Sequence, residues 1–279
     1  LIKLIDIFLF FFASICFDLL RNFKRYNFYG KSNYYGNGMR FFLLDVSRGV
    51  SVLAMICYHF YWDLGYFGFI DLGTVIQGVG LLAAQVIGVS FITIAGISGR
   101  VLTFSKNFKA KFSKRIVKLI ILSAMVSLAT FFIDKNNFIF FGILHFLTIC
   151  SIISLILVTV TKSHLLFLIF FIVSIISLSS ITFDLPTILS WIGFNKTPPI
   201  TNDFYPLFPW LTFYLLGFWV GQLIMDRQSR FLPGISFIYL LNNNLFKFLE
   251  YVGKNSLIIY ISHQPILFSL FLIFIQLTS

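Results

Sequence analysis

Long apolar runs separated by short polar or basic gaps dominate the chain from residue 40 onward. A helix crossing hydrocarbon needs about 20 mostly apolar residues at about 1.5 Å each. Seven runs approach or meet that length: 43–64, 79–98, 116–133, 138–160, 164–183, 206–225 and 256–277. Each is predicted helical, because a lone helix satisfies its own backbone hydrogen bonds in lipid. No alternating strand pattern points to a barrel. The predicted fold is an all-α polytopic transmembrane bundle of about seven spans. Residues 1–38 stand apart. Their apolar run, 4–20, is interrupted by Asp6 and Asp18, and KSNYYGNG reads as a linker before the first methionine, Met39. They read as a hydrophobic segment and linker, either an upstream extension of the frame or a signal-like or accessory eighth helix, ahead of a transmembrane domain over 39–279.

Composition agrees with the pattern. Hydrophobic residues make up 58% of the 279 and charged residues only 11%, with mean hydropathy +0.93, which no ordinary soluble domain needs. The net charge of +11 does not point to nucleic acid, because the basic residues fall in the gaps between runs. From residue 20 on, only Lys135 and Lys196 lie in the gaps 65–78, 134–137 and 184–205. Every other Lys and Arg lies on the opposite side. The positive-inside rule therefore puts the start of the first span of an integral membrane protein in the cytoplasm. The gap 184–205, rich in Pro and aromatics, is expected to fold over the outer surface, and 235–250 to lie as a helix in the inner interface. Cys16, Cys57 and Cys150 sit in apolar runs without metal spacing, and no metal is expected.

The first span, LDVSRGVSVLAMICYHFYWDL, is polar for a membrane helix. At about 100° per residue, Asp45, Arg48, His59 and Asp63 fall within about 60° of arc, opposite Val50, Leu53, Ala54, Cys57 and Tyr61. A charge at mid-bilayer costs roughly 2.5–3.5 kcal/mol on insertion scales, so this stripe should face a wet passage inside the bundle. Asp45 and Arg48 can pair at (i, i+3) near the cytoplasmic end. Toward the outer end, Asp63 is placed to accept a ring N–H of His59 and raise basicity at its other nitrogen. That arrangement makes His59 a candidate general base and Asp63 its orienter.

Other spans add polar groups. His145 lies in the outer half of the fourth, at a depth matching His59, as a second polar partner. His263 shares a face with Ser256 and Tyr260 in the seventh, ahead of Pro265, and reads as a gate or substrate-path residue together with Asp45. Arg100, Lys114 and Arg115 gather at the inner mouth where phosphates could bind, with Arg48 nearby. Asp203 and Trp210 stand at the outer mouth of the sixth span. No Walker loop, HExxH or GxSxG occurs. Intramembrane histidines of this kind also fit a transporter, whose stripe conducts protons or solute, and a haem-binding electron carrier with His59 and His145 as axial ligands.

LDVSRGVSVLAMICYHFYWDL, FITIAGISGR with its following basic-headed helix, FFGILHFLTICSII, YPLFPWLTFYLLGFWVGQLI and NSLIIYISHQPIL together resemble bacterial membrane proteins grouped with the catalytic domain of heparan-α-glucosaminide N-acetyltransferase. The opening also looks like that of the bacterial membrane acyltransferases that O-acetylate envelope polysaccharides. The resemblance implies acyl transfer. Acetyl-CoA would dock from the cytoplasm and pass its thioester into the bundle. A sugar amine or hydroxyl, on an envelope glycan or lipid-linked sugar, would accept the acetyl group near the outer face. A histidine would serve as base or as a briefly acetylated nucleophile. Membrane lipids and this acceptor are the expected partners, nucleic acid is not, and the bundle is compatible with a homo-oligomer.

Overall fold

The computed structural model describes residues 42–160, 163–176, 182–228 and 244–278. The helices are α1 (Phe42–Tyr66), α2 (Leu72–Ile76), α3 (Gly78–Thr103), α4 (Phe108–Ile133), α5 (Ile143–Thr159), α6 (Ser163–Ile176), α7 (Leu207–Gln228), α8 (Asn244–Lys254) and α9 (Ser256–Thr278), with a 3-10 helix at Thr187–Ile192. Among the described residues only two isolated bridges, Phe141 with Phe204 and Phe183 with Asn195, have strand character. The chain is thus an all-helical integral membrane protein. Five helices, α1, α3, α4, α7 and α9, are long and apolar enough to cross a bilayer, and α5 and Phe167–Ile176 are shorter apolar helices. The seven predicted runs all coincide with helices, although not all reach spanning length. The readings made for residues 1–38, and for 235–243 of the interfacial stretch, lie outside the described residues.

Two helix starts differ from the pattern. The fourth run begins its helix only at Ile143, because Gly142 is an extended N-cap and residues 138–142 leave helical geometry. The third begins earlier than its apolar run, at Phe108, taking in Lys109, Lys111 and Lys114. Lysine is a good helix former, and its long stem lets the charge stay wet beside an apolar segment.

The described chain divides into two compact units, Arg40–Phe91 with Asp226–Ser279, and Ile92–Met225. In the first, α8 and α9 pack on α1. The α1–α8 crossing is backbone to backbone: a Cβ on Gly49 would strike the carbonyl of Leu249, and one on Gly253 the carbonyl of Asp45. Small residues at such crossings let membrane helices approach closely. Val52, Met55 and Val252 form a buried cluster, wrapped by Ile56, Ile87, Phe91 and Ile259. α9 runs parallel to α1, since contacts advance in the same direction along both: His59 with His263, Phe67 with Phe268, Phe69 with Phe274. Two parallel spanning helices are separated by an odd number of crossings, so the total with both counted is odd, which is the parity of the predicted seven. The other face of α1 carries exposed Val50 and Tyr61.

In the second unit the distal half of α3 lies against α7, again through glycine. Gly96 meets the Tyr214 carbonyl and Gly217 the Thr93 carbonyl. The segment 182–206 is tied to the α4–α5 connection. Asn202 N–H donates to the Asn137 carbonyl at 3.0 Å, Tyr205 N–H to Phe141 at 3.0 Å, and Thr201 Oγ1 to Phe138 at 2.7 Å. Gly193 has φ +105° and abuts the Phe208 carbonyl, so both its backbone conformation and its missing side chain are needed there.

Candidate functional site

The polar stripe of α1 is turned inward in its own unit. Asp63 is fully buried and Asp45 is 5% exposed, whereas Val50 on the opposite side is 51% exposed. Arg48 Nη1 donates to Asp45 Oδ1 at 2.6 Å and to the Gly253 carbonyl at 3.4 Å, so the expected ion pair forms where α8 crosses α1. At the other end of the stripe, two side-chain contacts join α1 to α9. The rings of His59 and His263 lie with centroids 4.8 Å apart, tilted by 57°. One turn further on, Gln264 Nε2 donates to Asp63 Oδ1 at 2.7 Å.

The sequence predicts a bond between Asp63 and His59, and none of the hydrogen bonds among the described residues makes one. A carboxylate on one methylene has little reach along its own helix, while the longer Gln264 extends from the neighbour. Gln264 is therefore a member of the site that spacing on α1 did not reveal. Its signal was the run His263-Gln264-Pro265, three non-aliphatic residues inside an apolar span. His263 Nδ1 lies 2.6 Å from the Tyr260 carbonyl, which turns the His263 ring inward beside His59.

His145 belongs to the second unit, where both of its nitrogens are engaged. Gly142 N–H donates to Nδ1 at 3.3 Å, and Nε2 stands 3.2 Å from Ser127 Oγ, whose own hydroxyl donates to the Ile139 carbonyl at 2.7 Å. With Nδ1 accepting, Nε2 carries the proton and donates to Ser127. This ring fastens the first turn of α5 to α4. Asp203 caps the same helix from the loop: its Oδ2 accepts Ile143 N–H at 3.1 Å, in space that a side chain on Gly142 would occupy. Burial pushes the Asp203 carboxyl up to about 6, with the Ile143 N–H pulling the other way. The positive end of the α5 dipole favours the same anion. Trp210 stacks obliquely with Tyr205 at 4.7 Å, at the start of α7.

The basic residues differ in availability. Arg100 Nε donates to Gln222 Oε1 at 2.5 Å, and its guanidinium lies over the Phe104 and Phe218 rings at 5.3 and 5.1 Å. Lys114 is exposed. Arg115 is half-buried, and a Cβ on Gly99 would stand 2.7 Å from Tyr214 Oη and 3.9 Å from Arg115 Nη1. Tyr214 in turn bonds Ser154 Oγ at 2.8 Å. The Arg115 guanidinium has no ion-pair partner among the described residues and can take an anion.

A family model described as heparan-alpha-glucosaminide N-acetyltransferase, catalytic, matches residues 40–265. The chain belongs to this family. The match takes in every candidate residue above, on both units. No curated protein and no solved structure matches the chain. Membership in the heparan-alpha-glucosaminide N-acetyltransferase family, with the apolar helices, makes this an acetyltransferase-like protein of the membrane.

Proposed function

We propose that the protein moves an acetyl group from cytoplasmic acetyl-CoA to a sugar amine or hydroxyl at the outer face of a bacterial inner membrane. The observation that carries the reading is the buried polar seam between α1 and α9, inside a domain of an acetyltransferase family. Hydrocarbon-facing helices have no use for a buried carboxylate and two facing imidazoles, and intramembrane ionisable groups mark substrate or proton paths.

In this reading the acceptor's nitrogen or oxygen attacks the acetyl carbonyl carbon, the C–S bond breaks, and the acceptor's proton passes to an imidazole. His59 is half-buried, with no hydrogen bond to Asp63, and with the facing His263 forms the imidazole pair that serves as base at the seam. Asp63, fixed by Gln264, supplies negative charge that favours the imidazolium. Arg115 and Lys114 would receive the donor's phosphates, Arg100 would shape that mouth through Gln222, and Arg48 would hold the inner end of the stripe through Asp45. His145, bonded on both sides, and Asp203 position α5, while Trp210 lines the acceptor's approach.

The test is acetyl-CoA binding and thiol release by the purified protein in lipid nanodiscs, wild type beside His59→Ala. Binding with turnover that falls about 100-fold or more in the variant supports the reading, since general-base catalysis contributes roughly 10²–10⁴. Absence of acetyl-CoA binding in the wild type refutes it.

A further inference from the structure

Three buried acceptor atoms crowd the α1–α9 seam without a donor. Asp63 Oδ2, His263 Nε2 and Gln264 Oε1 are each inaccessible to solvent and unmatched among the described residues. Burying one such atom costs about 1–3 kcal/mol, so three on one seam are a feature the sequence maintains against stability.

His263 is the informative member. Its Nδ1 stands 2.6 Å from the Tyr260 carbonyl oxygen, a group that only accepts. Nδ1 therefore carries the proton, and Nε2 presents a bare lone pair. The residue is 8% exposed, and its ring faces that of His59 at 4.8 Å. An imidazole whose first nitrogen is anchored to a carbonyl and whose second is unprotonated and unpartnered is prepared to accept a proton. His145, in the first turn of α5, by contrast has both nitrogens engaged.

We infer that His263 is a catalytic base of this site, taking the acceptor's proton on Nε2 once the acceptor has entered the seam that closes over that atom. The inference rests on the acetyl-transfer reading. As the acceptor's lone pair forms its bond to the acetyl carbon, its N–H or O–H bond breaks and the proton moves to Nε2. The C–S bond then breaks, the electron pair leaves with sulfur, and the resulting thiolate takes the proton back from the imidazolium. The Tyr260 carbonyl stabilises that cation through Nδ1–H, and Asp63, one turn away along the seam, adds a favourable charge. His59, against the His263 ring, contributes by contact and by its own lone pair.

The experiment compares His263→Asn with wild type in full-length protein in nanodiscs. Asparagine retains an N–H near the Nδ1 position for the Tyr260 carbonyl and removes the base. Thiol release from acetyl-CoA is measured with water as acceptor and with hydroxylamine, which is unprotonated at neutral pH and needs no base. Hydrolysis should fall about 100-fold or more, while hydroxylaminolysis falls less than about 10-fold and acetyl-CoA binding is unchanged. Hydrolysis within threefold of wild type overturns the inference, as does an equal loss with both acceptors, which marks a structural role. A wild type that binds no acetyl-CoA overturns the acetyl-transfer reading itself. Independently of turnover, nitrogen NMR of histidine-labelled protein, assigned with His263→Asn, should show the Nδ1–H tautomer at His263. An Nε2–H tautomer overturns the inference.

Discussion

Replacing Gln264 with leucine removes the one hydrogen-bond donor among the described residues that reaches the fully buried Asp63 side chain. Leucine roughly preserves volume, so the packing change is small and the electrostatic loss dominates. An ordinary interhelical hydrogen bond in a membrane protein averages about 0.6 kcal/mol and reaches about 1.7. A bond to a charged group is worth about 1.5–3 kcal/mol, and removing its donor strands the charge. The same substitution removes the unpaired Gln264 Oε1, whose burial costs about 1–3 kcal/mol, and so returns part of that loss. Gln264→Leu should therefore cost about 1–2 kcal/mol net. At about 2–4 °C per kcal/mol for a chain of 150–250 residues, melting should drop by roughly 2–8 °C. Fluorescence-detected size exclusion of heated, detergent-solubilised protein reads this out. In an Asp63→Leu background the same substitution should cost less than about 0.5 kcal/mol, because no carboxylate remains to strand. Equal costs in the two backgrounds, or a Gln264→Leu protein that melts with wild type, would refute the reasoning.

The backbone crossing of α1 and α8 predicts that Gly253→Leu, which must push the helices apart, destabilises by at least the 1–3 kcal/mol (about) typical of overpacking, whereas Lys247→Leu on the exposed side of α8 melts near wild type in the same assay. His145→Ala leaves Gly142 N–H and Ser127 without their partner, so it should lower melting while acetyl-CoA affinity, measured by calorimetry on the folded fraction, stays within about threefold. Asp203 has a folded-state pKa of about 6, above its ordinary 3.8, so the folded protein holds this proton more tightly. Its contribution is most favourable below about pH 4 and is lost as pH rises through about 6, by on the order of 2 kcal/mol. Asp203→Asn should therefore gain on wild type between pH 4 and pH 7 in paired melting curves, and parallel pH profiles would refute the assignment.

The lengths of the apolar runs made most of the helices legible, and the angular stripe on α1 showed which face would turn inward. Asp45 and Arg48 pair as an (i, i+3) spacing dictates, because both lie on one helix where geometry is fixed by local rules. Asp63 did not follow its local rule. Its neighbour at i−4 lost to Gln264, which lies 201 residues away and could be found only by knowing which helices touch. The same limit explains His145. Its depth in the span was legible, but the engagement of both nitrogens depends on Gly142 opening the helix late and on Ser127 from α4. Arg100 and Arg115 read alike as loop-end cations, yet Gln222 occupies one, and only the turn of α4 carries the other inward.

The seam between α1 and α9 also sets an order of events during synthesis. At about 5–20 residues per second, on the order of 10–40 s separate the making of Asp63 from that of Gln264. Until then the acid has no resting place in hydrocarbon and must be sheltered by insertion machinery or carry a proton. A ribosome that stops before α9 leaves a polypeptide with an unanswered acid in α1. Such a product exposes an unpaired carboxylate to membrane proteases, so the pairing of Asp63 with Gln264 also reports that both helices were made.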